Sequence, residues 1–429
     1  MAVTFTWQPR PDNRSEALHI SLAAGSLTLS FAGRSNLSFD GEGRLIGAWY
    51  DGLTYRRSLD NRVLLKWLAE GKPPLRHRRF LSAEERDALL ARVHADVRRV
   101  HDALHTGQLA APDATPAFIA GLSAWLDAAL RWDAESFERD AAAFCSIYKP
   151  ISILPPDQYL AVVLQATEGC SYNQCSFCTF YRDRPFRIKR PAQFAEHIAQ
   201  VRAFLGSGMA MRKSVFLADA NAVVIAQRQL RPLLQIVNQH FSFEQPEVVD
   251  MPGTDQSIRW MPEGINAFIS APDALRKSPQ NFAEMAELHV RRLYVGLETG
   301  HDALRRFLRK PGTAEDVLAA LHAIKQGGLH VGLIFMAGIG GEDFRAAHFE
   351  DTVDLIQAAP LGPGDLIYTS PFVASADSPY LDDMRSAGYS SLDDVTQRQE
   401  EERFRAALSS WARRRGVRVS RYDVREFIY

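Results

Sequence analysis

The spacing of apolar positions changes three times along this chain. In the first ~60 residues, apolar and polar side chains alternate with period two, as in LTLSFAG and NLSFD. A turn around Asp40-Gly41-Glu42-Gly43 leads into RLIGAWY, and Asp51-Gly52 is a two-residue hairpin turn before LTYRR. These residues predict a β-meander. The period then lengthens to that of helices. Ser82 and Glu85 have capping-box spacing ahead of ERDALLARVHADVRRVHDAL. Thr115-Pro116 opens a second helix, FIAGLSAWLDAALRW, and a third runs from Asp133 to Tyr148. Pro155-Pro156 then marks a domain boundary.

From Tyr159 to Val373, short apolar runs alternate with amphipathic helices. Strands are predicted over 159–166, 214–219, 265–270, 292–298, 331–338 and 366–373. Between them lie single apolar stripes such as Phe194, Ile198, Val201 and Leu205, or Val317, Leu321 and Ile324. Six such strands, rich in Val, Ile and Leu and separated by helices, predict parallel βα units covered on both faces, an α/β fold. A curved barrel-like sheet and an open doubly wound sheet both satisfy this pattern. Beyond Ala374 the alternation stops. A helix is expected over 392–415, with Arg413, Arg414 and Arg415 in its last turn and Gly416 as its cap. The resulting organisation is an N-terminal meander and helical region over 1–150, a strand–helix region over 151–373 and a C-terminal extension over 374–429.

Composition changes this picture little. The 429 residues are 46% hydrophobic and 24% charged, with net charge −1. No global field favours nucleic acid or an anionic membrane. The opening MAVTFTWQPRPDNR lacks the apolar core of a signal peptide, and no apolar stretch is long enough to span a bilayer. A cytoplasmic chain with reduced thiols is expected.

The thiols carry the candidate chemistry. Three of four cysteines, Cys170, Cys175 and Cys178, fall in GCSYNQCSFCTFY, directly after the first strand of the alternating region. Parallel α/β sheets place their chemistry at this end of the strands. A closed zinc site wants four ligands, and no histidine lies between Lys149 and Arg190. Three thiolates can instead hold a [4Fe–4S] cluster with one iron open to a substrate or cofactor.

The Cys-x4-Cys-x2-Cys loop, with the aromatic Phe177 just before the third cysteine, resembles that of the radical S-adenosylmethionine (radical SAM) enzymes. Their usual spacing is Cys-x3-Cys-x2-Cys. The longer spacing looks like that of a subgroup related to the Elongator catalytic-subunit and coproporphyrinogen-oxidase-like branch. Three later strand ends are similar too: FLADANA (216–222), VGLETG (295–300) and MAGIGGE (336–342), although Met336 stands where the family often has glycine. The resemblance implies a partial (β/α)6 barrel of parallel strands, a cluster held by Cys170, Cys175 and Cys178, and reductive cleavage of S-adenosylmethionine to a 5′-deoxyadenosyl radical that abstracts hydrogen from substrate. On it, Asp219 is the first choice and Asn221 the second for holding the cofactor's amino group. Glu298 reaches its ribose or methionine moiety, and backbone at Gly338, Ile339 and Gly340 meets the adenine. A flavodoxin- or ferredoxin-type electron donor is implied.

Other features have two readings. Cys145 is a buried structural thiol, or a hydrogen-atom or acid donor reaching the substrate. The run from Tyr181 to Arg190 grips an anionic substrate or is a solvated connector. Arg76 to Arg79 reads as a solvated linker face, and His301 is the one histidine near a matched segment. A tRNA-modifying enzyme and a non-catalytic iron–sulfur protein are the alternatives. The neutral charge and the lack of an RNA-binding module weigh against the first. With four cysteines there is no second cluster.

Overall fold

The computed structural model describes residues 2–7, 16–23, 25–69, 75–251 and 257–429. The N-terminal meander is longer than its clearest alternation. Eight strands run from Ala2–Trp7 to Leu75–Phe80, each antiparallel to the next, and Leu109–Ala110 adds a ninth beside the first. Alternate residues such as Leu27, Leu29, Phe31, Leu37 and Phe39 are buried, as period two requires. Helices Ala83–His105, capped by Ser82 and Glu85, and Pro116–Leu130 pack on this face through Val93, Val97, Val100, Leu122 and Leu126. The last full strand, LRHRRF, corrects the reading of Arg76 to Arg79 as a solvated linker. Arg78 pairs with Asp423 at 2.6 Å and Arg76 with Glu426 at 3.1 Å, tying the meander to the segment 422–429.

The second sheet holds seven parallel strands in chain order: β1 (Ala161–Gln165), β2 (Ser214–Ala218), β3 (Ile265–Ile269), β4 (Val290–Glu298), β5 (His330–Ala337), β6 (Leu366–Pro371) and β7 (Arg418–Arg421). Sequential order with a helix between neighbours is the wiring of a partial TIM-like barrel, which removes the open-sheet alternative. The alternation does not stop at Ala374. Helix Asp394–Arg415 is one more crossover, burying Phe404, Leu408 and Trp411 against the core, and β7 follows it. RVSR is short and only partly buried, so its sequence lacks the apolar run of β1 to β6.

The barrel stays open at β1, and side chains finish its free edge. Tyr429 Oη accepts from Val163 N (3.1 Å) and donates to Ala161 O (3.0 Å). Tyr148 Oη donates to Val163 O (2.9 Å), and His197 Nε2 accepts from Gln165 N (3.0 Å). Each backbone group used in this way is unavailable for an added strand. Among the described residues, no helix is long and apolar enough to cross a membrane.

Candidate active site

The loop that leaves β1 is pinned at its root. Thr167–Glu168 pairs antiparallel with Arg187–Ile188, and Lys189 Nζ donates to Glu168 at 2.8 Å. Gly169 turns the chain at φ +77°, where a side chain would also press on Pro185 O. Its N–H donates to Asp219 Oδ2 (3.0 Å), and Gln165 Nε2 donates to Asp219 Oδ1 (3.1 Å). Inside the four-residue spacer, Asn173 takes φ +50°, and its amide ties across to Tyr181 O. Asparagine tolerates this left-handed conformation better than most residues. Arg182 closes the turn from outside, with Nε donating to Cys178 O (3.0 Å) and Nη2 to Cys175 O (3.1 Å). The run 181–190 is mostly exposed, as a solvated connector would be, yet it does more than connect. It clasps the thiol loop.

Cys170, Cys175, Cys178 and Phe177 line one cavity of about 230 Å³ at the C-terminal ends of the strands, and Asn221 and Glu298 line it too. All four cysteines are free thiols. Burial pushes the Cys175 thiol up and the Cys178 thiol up to about 11. Among the described residues, no three acidic, thiol or imidazole side chains converge closely enough to hold a single metal ion. Three thiols on one wall of a cavity fit a larger cluster with one open position.

The facing wall is built around β4. The strand bulges between Gly296 and Glu298, and Glu298 stands at φ +61°, a strained position for a residue with a side chain. The missing side chain of Gly296 makes room for this. A Cβ there would lie 2.3 Å from Glu298 Oε1 and 3.0 Å from Lys310 Nζ. Lys310 donates to Glu298 Oε1 at 2.8 Å. Burial opposes the Lys310 charge, but Glu298 and Cys175 more than offset it, and its pKa lies above the ordinary value. Arg305, 1% exposed, holds both residues in place. Its guanidinium donates to Leu297 O (2.7 Å) and Thr299 O (3.2 Å) on either side of Glu298. It also donates to Pro311 O (3.1 Å) and Gly312 O (2.8 Å) just past Lys310. His348 completes the support, with Nδ1 2.8 Å from Thr299 Oγ1 and Nε2 3.0 Å from Met336 O.

Several expected residues fall elsewhere. Asp219 does not line the cavity; its two oxygens brace the root of the thiol loop. Asn221 does line it, held by Asp273 (2.6 Å) and Ser171 (3.3 Å). Gly338, Ile339 and Gly340 are also off the cavity. Gln397 and Phe344 crowd the two glycines, and Ile339 is buried with Leu304, Leu308 and Tyr380. Their strand reaches the cavity through Ile334 and Met336 instead. Cys145 is exposed on helix Ala134–Ile147, away from this cavity, so neither reading of it stands. His301 pairs with Asp351 at 2.7 Å, also off the cavity. Sequence reasoning missed Lys310, Ser270 and Tyr422. Tyr422 follows β7, and only the position of that strand brings it to the wall.

Residues 164–356 match the model of the Radical SAM superfamily, so this part of the chain is a radical SAM domain, a kind of domain that uses a [4Fe–4S] cluster and S-adenosylmethionine. No curated protein sequence matches the chain. Among solved structures it is similar to coproporphyrinogen III oxidase (HemN) from Escherichia coli, with 10% identity over 66% of this chain and 57% of that one (TM-score 0.41). It is also similar to Elp3 of the archaeon Methanocaldococcus infernus, with 12% identity over 54% and 52% of the two chains (TM-score 0.36). The cobalamin-dependent S-adenosylmethionine radical enzyme OxsB matches at 13% identity over 56% of this chain but only 30% of its own length (TM-score 0.34).

Proposed function

We propose that Cys170, Cys175 and Cys178 hold a [4Fe–4S] cluster, that S-adenosylmethionine binds beside it against Phe177, Asn221, Glu298 and Lys310, and that the enzyme abstracts a hydrogen atom from a second substrate. The observation that supports this reading is the convergence of three thiols from one strand end and the Glu298–Lys310 pair from another on a single cavity. When bound, the cluster and its sulfonium cofactor supply a 5′-deoxyadenosyl radical on one-electron reduction. The chain's own residues bind, orient and exclude water. The Lys310 ammonium has three donors and gives one to Glu298, leaving the others for the carboxylate of the methionyl group. Glu298 uses one oxygen on Lys310 and offers the second to hydroxyl or amino donors. Asn221, fixed by Asp273 and Ser171, presents an amide beside the thiol loop. Phe268, Tyr294, Phe372 and Tyr422 line the rest of the cavity, and an apolar wall of this kind keeps water from a reactive intermediate. The electron comes from a flavodoxin- or ferredoxin-type carrier, and the chain works in the cytoplasm.

Anaerobic reconstitution tests the reading. The wild-type chain is expected to take up about four iron and about four sulfide. It should then release 5′-deoxyadenosine from S-adenosylmethionine with dithionite, and Cys175→Ala should lose both properties. A fully loaded sample that releases no 5′-deoxyadenosine, or a chain that takes up zinc in place of iron, would overturn it.

A further inference from the structure

A second cavity lies at the other end of the barrel, where the N-terminal sheet meets the chain entering β1 and β2. It has a volume of about 50 Å³, and Arg44, Arg56, Arg57 and Arg212 line it with one carboxylate, Asp40. Arg44 is well matched. Its Nε lies 3.1 Å from both oxygens of Asp140, its Nη1 3.4 Å from Asp40, and its Nη2 2.7 Å from Phe204 O. Arg57 is not. Its side chain is 2% exposed, and its Nε donates to Leu45 O. The carboxylate facing it is Asp140, at 3.9 Å and already engaged by Arg44. Among the described residues, Arg57 Nη1 and Arg212 Nε are buried without a hydrogen-bond partner.

The other acids nearby lie outside the cavity's lining. Glu426 is held by Lys66 and Arg76, and Glu42 by Ser207. Arg56 and Arg212 lie over the rings of Tyr159 and Tyr429, and the Tyr429 hydroxyl is spent on Val163 N and Ala161 O. Burial brings the Arg57 pKa down to about 10, as expected of a cation short of counter-charge. Four guanidinium groups line this small cavity with the single side-chain carboxylate of Asp40. An uncompensated buried cation is strongly unfavourable, and planar guanidinium forks match the oxygens of a tetrahedral anion.

We infer that this cavity binds a small oxyanion of the phosphate class, either free or as the terminal group of a larger ligand. The bound anion joins Arg57 of the N-terminal sheet to Arg212 of the barrel floor, beneath Tyr429. The segment ending there also carries Tyr422 and Val424 into the wall of the reaction cavity, so the anion braces that wall from behind.

Titration calorimetry on the full chain in a chloride buffer of constant ionic strength tests this without reference to S-adenosylmethionine chemistry. Inorganic phosphate is expected to bind at one site per chain and to raise Tm with increasing concentration. Arg57→Gln should weaken binding at least ~10-fold, the scale set by losing one charge-assisted contact pair. Arg212→Gln, at a partly exposed position, should do the same, and keeps the test open if the Arg57 variant does not fold. Glycerol phosphate as a second probe distinguishes the sources. Equal affinity marks a pocket open to a larger ligand, and loss of binding marks a free-ion site. The inference fails if phosphate does no more than chloride at equal ionic strength, an adventitious ion only, or if both variants bind phosphate unchanged.

Discussion

The two walls of the reaction cavity are held by the same device in opposite surroundings. On the thiol wall, Arg182 donates to the carbonyls of Cys175 and Cys178 from an exposed position. On the facing wall, Arg305 donates to four carbonyls around Glu298 and Lys310 from a position 1% exposed. In water, an arginine–carbonyl bond replaces a water–carbonyl bond and changes stability little. When buried, the same bond satisfies groups that nothing else can reach. One wall is therefore set by the fold, while the other is a loop that its ligand can still adjust. On the proposed function a cluster has to be assembled into the thiol loop, and a rigid loop would obstruct that. The pocket for an orienting carboxylate gains from being fixed beforehand.

The sharpest way to break this comparison is to remove the buried clamp. Arg305→Met keeps the apolar stem and deletes the donors, leaving carbonyls of 297, 299, 311 and 312 short of a partner. The expected loss is about 3–5 kcal/mol of folding free energy, read from urea unfolding of the metal-free chain. Such variants that fold should still take up iron normally, because the thiol loop is untouched, but bind S-adenosylmethionine weakly. A loss below about 1 kcal/mol would show that the wall does not depend on the clamp.

The two walls were also unequally legible in the sequence. The thiol loop is readable because its pattern is local: three cysteines and an aromatic residue within nine positions, directly after an apolar strand. The other wall depends on contacts that sequence spacing does not encode. Lys310 sits in LRKPGT, which has no periodicity, and matters only because β4 bulges and folds Glu298 back over Gly296. Asp219 shows the limit from the other side. An acid at a strand end looks the same whether it faces a cavity or, as here, the root of a loop. Gly338 and Gly340 look like open backbone, but Gln397 and Phe344, from elements after β5, fill the space. The six apolar strands were recoverable because a strand covered on both faces must be apolar throughout. The half-polar β7 and the charged LRHRRF carry no such mark.

Acid sharpens the comparison next, because each wall leans on one neutral histidine. His197 Nε2 accepts from Gln165 N at the end of β1, while His348 Nε2 must donate to Met336 O, which leaves its Nδ1 to accept from a threonine hydroxyl. Burial lowers each to about 4. The sign follows from proton counting. Between the folded value and the unfolded value near 6.5, the unfolded chain binds the extra proton, so stability rises with pH across that window and is lost on acidification. Each histidine contributes a slope of about 1.4 kcal/mol per pH unit, or about 3 kcal/mol over the window. His348→Gln should flatten the profile of unfolding free energy between about pH 4 and pH 6.5, while His197 keeps its own share. An unchanged slope would mean that His348 titrates normally.

The smallest effect is expected at the exposed clamp. Arg182→Met removes two donors from the carbonyls of Cys175 and Cys178, which water can replace, so folding free energy should change by less than about 1 kcal/mol. The consequence should appear instead in the loop's grip on its metal. Without Arg182 the turn between Cys175 and Cys178 keeps the backbone bond from Cys178 N to Cys175 O at 3.3 Å but loses its outer brace, and the thiols sample more arrangements. Iron should then leave the reconstituted protein faster under a chelator, while its final content after reconstitution stays unchanged. Arg182→Lys should recover only part of the difference, because a single ammonium cannot span two carbonyls as the fork does. If Arg182→Met instead destabilised the metal-free chain as much as Arg305→Met, the two walls would be equally rigid and the distinction between them would fail.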